Sequence, residues 1–124
     1  MGNLMSTIKA NDIQNASGGI PTVKGQQLIP TAWVNFNGTG TVAIRDSENV
    51  SSITDNGTGD YSMNFTTAMD NSNYATATAT RDVNWFGVVP TGPTTSLVNV
   101  KNYNNGAAAA DCATLNVTIL GGQA

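Results

Sequence analysis

Histidine is absent from this sequence and cysteine occurs once. The first absence removes the commonest general base and the commonest metal ligand. The second rules out an internal disulfide, and with it a disulfide-stapled secreted scaffold. Folding in a reducing cytoplasm is consistent with that count. The lone Cys112 reads as a small packed residue. Charge is scarce too, at 10% of residues against about 25% in an average soluble domain. Five Lys and Arg stand against eight Asp and Glu, for a net charge of −3. A nucleic-acid binder needs a cationic footprint that this chain lacks, and the same deficit argues against attachment to an anionic membrane. No apolar run approaches the ~20 residues that cross a bilayer. No basic region followed by an apolar stretch opens the chain, so neither membrane insertion nor a signal peptide is expected.

In place of charge there is Asn, Thr, Gly and Ser, residues that suit turns and solvated strand faces better than helix interiors. The chain has 124 residues, 40% of them hydrophobic, which fits one domain burying about two thirds of its unfolded surface. A surface with little like-charge repulsion favours assembly with other copies.

Two textures divide the chain. Up to residue 30 the apolar positions Ile8, Ile13, Ile20, Val23, Leu28 and Ile29 are sparse, and Gly18-Gly19, Pro21, Gly25 and Pro30 interrupt them. That spacing supports neither a helix nor a long strand. Residues 1–30 are expected to form an extended arm for attachment or oligomerisation, with apolar residues it cannot bury alone.

Residues 31–124 carry a period-2 signal. Ala32, Val34 and Phe36 share a face, with Trp33 on the other. Asn37-Gly38-Thr39-Gly40 then turns the chain into Thr41–Arg45, a strong hairpin signal. Asp46–Asn49 reads as a loop, Val50–Thr54 as a strand, and Asp55–Asp60 as a hairpin turn. Tyr61, Met63 and Phe65 alternate with polar residues. Tyr74–Thr80 alternates strictly, and its alanines are expected to face inward. Val83–Val89, Leu97–Val100 and Leu115–Ile119 complete seven or eight short strands. Ala107–Ala110 fits one helical turn or a loop. The expected fold is all-β, an antiparallel β-sandwich of jelly-roll or immunoglobulin-like type.

Candidate chemistry is thin. Cys112 has no base near it in sequence, and Asp46 with Glu48, like Asp55 with Asp60, reads as a solvated turn, so no catalytic residue, cofactor or metal site is expected. Asp55–Asp60 offers oxygen ligands of the kind calcium takes but lacks a closing Glu. Gly38-Thr39-Gly40 and Gly57-Thr58-Gly59 lack the Lys-Ser/Thr pair of a phosphate loop. The candidate contacts to a glycan or a partner are Trp33, Asn84, Trp85, Phe86 and Tyr103, with Asn102 and Asn104 nearby. Aromatic faces stack on sugar rings, and amides add directional hydrogen bonds.

The stretch Ala32–Arg81 resembles a module of bacteriophage tail-fibre and related virion proteins. The resemblance rests on Trp33-Val34-Asn35-Phe36-Asn37-Gly38-Thr39, on Asn49 through Tyr61, and on Asn64-Phe65-Thr66-Thr67-Ala68-Met69. The opening Ser6–Asn15 is similar to a start found in marine phage structural proteins. The resemblance implies a virion surface protein made in the host bacterial cytoplasm. It implies a homotrimer that engages other virion proteins through its arm and a host surface glycan through its domain. Fibres usually carry a long shaft, so a module of this length corresponds to a short fibre, a tail-tip subunit or a capsid decoration or cement protein. A non-viral carbohydrate-binding module is the alternative from another class.

Overall fold

The computed structural model describes residues 6–81 and 85–123, with residues 85–90 described by their backbone. The described residues contain eight strands and no helix: β1 (Ala32–Asn37), β2 (Ala43–Glu48), β3 (Val50–Gly57), β4 (Asp60–Phe65), β5 (Ala75–Thr80), β6 (Trp85–Thr91), β7 (Leu97–Asn104) and β8 (Leu115–Leu120). They form two antiparallel sheets, ordered β2-β1-β8-β5 and β3-β4-β7-β6.

The four central strands supply most of the core. Ala32, Val34 and Phe36 of β1 and Leu115, Val117 and Ile119 of β8 are buried on one side. Tyr61, Met63 and Phe65 of β4 and Val98 and Val100 of β7 are buried on the other. Each such large side chain contributes about 1.5–3 kcal/mol when removed from water. The alternation that places Ala32, Val34 and Phe36 together, and Tyr61, Met63 and Phe65 together, is the one expected from the sequence.

Three local expectations are corrected, and a fourth, open between a helical turn and a loop, is decided. Asp46–Asn49 is not a loop: β2 runs through Glu48, and Asn49 alone turns the chain, at φ 55°. Its amide nitrogen bridges the carbonyls of Thr31 and Thr67, and its Oδ1 accepts from the Thr67 N–H, so side-chain bonds replace a longer loop. The second hairpin turns at Thr58-Gly59, because Asn56-Gly57 stays in β3 behind a bulge. In β5 the alanines are exposed and the threonines half-buried, the reverse of the expected facing. Thr76, Thr78 and Thr80 lie in register with Ile119, Val117 and Leu115, so the β-branched methyls pack inward at the sheet margin. Lastly, Ala107 has φ 60° and Ala109 bridges to Tyr103, making residues 105–111 a loop folded back on β7.

Tyrosines pin both ends of the molecule. Tyr61 packs edge-on against Phe36, with ring centroids 5.3 Å apart, and so links the two sheets. Its hydroxyl lies 2.7 Å from the Gly38 carbonyl and 2.9 Å from Asp111 Oδ1. The same carboxylate oxygen accepts the Gly59 N–H at 2.8 Å. The β1–β2, β3–β4 and β7–β8 connections thus meet at one phenol. Two glycines make the approach feasible. A Cβ on Gly38 would stand 2.6 Å from the Tyr61 hydroxyl, and one on Gly59 would stand 2.6 Å from Ala110 N. At the other end, Tyr74 packs edge-on against Phe65 and donates to the carbonyls of Thr94 and Leu97.

Residues 6–30 add no strand to either sheet. Lys24 and Gly25, at φ 53° and 74°, turn the chain between Val23 and Gln26, which exchange backbone bonds. The segment is rooted by Gln123, whose N–H donates to Gln27 Oε1 and whose Nε2 donates to the Ile20 carbonyl. Ile8, Ile13, Val23 and Leu28 are exposed.

Burial, then the hydrogen bond and charge of Asp111, hold the Tyr61 hydroxyl protonated well above the ordinary tyrosine range, and burial raises Tyr74 in the same sense. A pKa raised by folding stabilises fully below the unfolded value of 10.0 and less as pH climbs past it. Unfolding free energy measured by urea titration should therefore carry no tyrosine contribution to its slope at neutral pH and should fall above about pH 10. Tyr61→Phe should cost about 1–3 kcal/mol at pH 7, from the acceptors left unpaired, and should flatten the alkaline decline.

Candidate functional site

With the inner faces spent on the core, any contact surface lies on the two outer faces and the loops. The outer face of β3-β4-β7 is a mesh of amides and hydroxyls. Asn56 Nδ2 donates to Ser62 Oγ at 2.8 Å, and Ser62 Oγ donates to Asn99 Oδ1 at 2.7 Å. Asn64 Nδ2 reaches Thr54 Oγ1 at 2.9 Å and Ser52 Oγ at 3.1 Å. Farther along, Lys101 Nζ lies 3.5 Å from Asp60 Oδ2. These neutral ladders do along the sheet what charged cross-strand pairs do in most proteins, and they account for the composition.

Tyr103 belongs to this outer face. It alternates with the buried Asn102 and stands opposite Gly87 of β6, next to a position without a side chain. The two asparagines beside it are committed elsewhere. Asn102 is buried and donates through Nδ2 to the Ala110 carbonyl at 2.7 Å. Asn104 Oδ1 accepts the N–H groups of Gly106 and Ala108 and so builds the β7–β8 loop. Trp85 and Phe86 begin β6, with a register shift between Trp85 and Gly87. Asn84 lies outside the described residues.

Trp33 is on the opposite side of the molecule. It is half-buried on the outer face of β2-β1-β8-β5, so Trp33 and Tyr103 do not form one site. The register sets Glu48 on one side of Trp33 and Thr118 on the other, with Ala77 beyond Thr118. One step along lies a polar row. Asn35 Nδ2 donates to Asn116 Oδ1 at 2.8 Å, and Arg45 Nη1 donates to Asn35 Oδ1 at 3.1 Å. The guanidinium also donates to the Ala113 carbonyl. An indole beside oriented amide and guanidinium donors, next to the exposed Ala75, Ala77 and Ala79, has the chemistry to stack on a ring and orient its hydroxyls.

Sequence reasoning missed Asn35, Arg45 and Asn116 as companions of Trp33. The period-2 rule puts Asn35 on the Trp33 face. Asn116, however, arrives by a pairing of the first strand with the last, which local pattern does not encode. Arg45 sits at the shift in the β1–β2 register and so joins the outer face.

The carboxylates are occupied by local structure. Asp55 Oδ1 accepts the Gly57 N–H at 3.0 Å, and Asp46 Oδ1 accepts the Ser47 N–H at 2.9 Å. Among the described residues no cluster of three or more acidic or cysteine side chains could hold a metal ion. Cys112 is buried in the β7–β8 loop. Compared with protein-family models, with curated proteins and with solved structures, the chain matches none.

Proposed function

We propose that the chain is a structural, non-enzymatic component of a phage virion, a short tail-fibre or tail-tip protein that contributes to host attachment. The observation that carries this reading is the exposure of Ile8, Ile13, Val23 and Leu28 on residues 6–30, beside a domain whose core is already filled. Apolar side chains left outside a finished core mark a subunit of something larger. The resemblance of Ala32–Arg81 to tail-fibre modules supplies the kind of assembly. Low charge favours close packing of copies, here as a homotrimer bound to other virion proteins through residues 1–30.

The domain is a sandwich. Its first and last strands pair in one sheet, whereas the immunoglobulin-like arrangement puts them in different sheets. Trp33, with Asn35, Asn116 and Arg45, is the surface assigned to a host glycan. Contacts that are weak singly gain strength when several copies engage one cell. A capsid decoration protein would use the same exposed segment, and position on the particle separates the two.

Immunogold electron microscopy of intact particles, with antibody against residues 31–124, is expected to label the tail extremity. Label over the capsid would replace the attachment role with decoration, and unlabelled particles would remove the virion assignment. In a cell-binding competition with the purified protein, Trp33→Ala should weaken competition while shifting unfolding free energy by no more than about 1 kcal/mol. Undiminished competition would take the contact away from Trp33.

A further inference from the structure

The outer margin of β3 is unfinished. Among the described residues β3 is bonded to β4 alone and ends its sheet. Free strand edges are usually blunted by charge, proline or shortness. β2, the neighbouring end of the other sheet, carries Arg45, Asp46 and Glu48. β3 has eight residues, and its first five, Val50-Ser51-Ser52-Ile53-Thr54, hold neither charge nor proline. The margin of the core lies there: Ile53 of β3, Ile44 of β2 and Val42 just before β2 are partly buried against it.

Residues 6–10 are the complement of that edge. They are exposed, have no turn, and make no hydrogen bond among the described residues. Ser6, Ile8 and Ala10 alternate with Thr7 and Lys9. As a strand, the segment would turn an isoleucine flanked by small residues to one side and polar residues to the other. Ile8 is 85% exposed. We propose that Ser6–Ala10 of one copy adds as a fifth strand along Val50–Thr54 of a second copy. Ile8 then enters beside Ile53 and Ile44, while Thr7 and Lys9 extend the polar mesh of Ser52, Thr54 and Asn64.

Two observations favour a second copy as the donor. The root of the segment is held through Gln123 beside the β5 margin, across the sheets from β3, and the chain's own residues 6–10 lie in solvent rather than on its own β3. Charge is complementary between the parts. Residues 1–30 carry Lys9 and Lys24 against Asp12, a net +1, and residues 31–124 carry the balancing −4 of the chain's −3. Each copy gives one strand and accepts one, a head-to-tail contact of the kind that closes into a ring when the rotation between copies permits. The inference rests on residues 6–30 serving assembly, and not on the particle being a phage.

The test uses the purified full chain in sedimentation velocity. The native chain is expected to be oligomeric, and both Ile8→Asp and Ile53→Lys are expected to be monomeric. Ile8 has no packing to lose, so its variant folds whatever happens at Ile53. Mixing a full chain carrying Thr7→Cys with one carrying Ser52→Cys, under mild oxidation, should give a disulfide-linked dimer of the two. A monomeric native chain, an oligomer that survives Ile8→Asp, or a mixture that does not cross-link would overturn the exchange. A monomer that still labels particles would overturn it while leaving the virion reading in place.

Discussion

One phenol organises the end of the molecule where three connections meet. Tyr61 rises from β4 through the core, crosses to the other sheet by its contact with Phe36, and ends on Gly38 and Asp111. A hydroxyl has one proton, so the two acceptors share it, and Asp111 is held there by the Gly59 N–H as well. Burial first, and then the hydrogen bond and charge of Asp111, make ionisation of Tyr61 costly, which keeps the proton in place. The arrangement demands that Gly38 and Gly59 have no side chain, and it brings Cys112 along, since the Gly38 N–H donates to the Cys112 carbonyl at 2.9 Å.

Surface chemistry follows from scarcity of charge. Outer faces that would ordinarily carry Lys and Glu carry Asn, Ser and Thr, which bond to one another across strands instead of repelling or attracting neighbours at a distance. Such faces gain little from electrostatic steering and lose little when covered. The two outer faces then differ in use. The β3-β4-β7 face spends its amides internally. The β2-β1-β8-β5 face leaves Trp33 and a flat alanine surface next to an ordered donor row, and for that reason it is the one assigned to contact.

Strand positions and inward residues were legible wherever alternation set large apolar side chains against polar ones, as in Ala32–Phe36 and Tyr61–Phe65. Alternation failed in Ala75–Thr80 because alanine and threonine are both small and ambivalent, and the register with β8 decided which turned inward. Asp46–Asn49 looked like a loop because its residues are polar, yet the strand continues and a single asparagine makes the corner with its side chain. The aromatic candidates for contact belong to different sheets. No local pattern could show this, because it depends on β1 pairing with β8 and β4 with β7, partners that are distant in sequence. Tyr61 itself read only as a core residue, since its acceptors come from two distant loops.

Native-state amide hydrogen exchange, comparing the native chain with Tyr61→Phe, tests the organising role of the phenol most directly. Loss of protection should concentrate at Gly38, Gly59, Asn102 and Ala110, whose N–H groups bond within or beside the three joined connections. The Thr31, Met69 and Asp70 amides at the Tyr74 end should keep theirs. Uniform loss at both ends, or none at the Tyr61 end, would contradict the account.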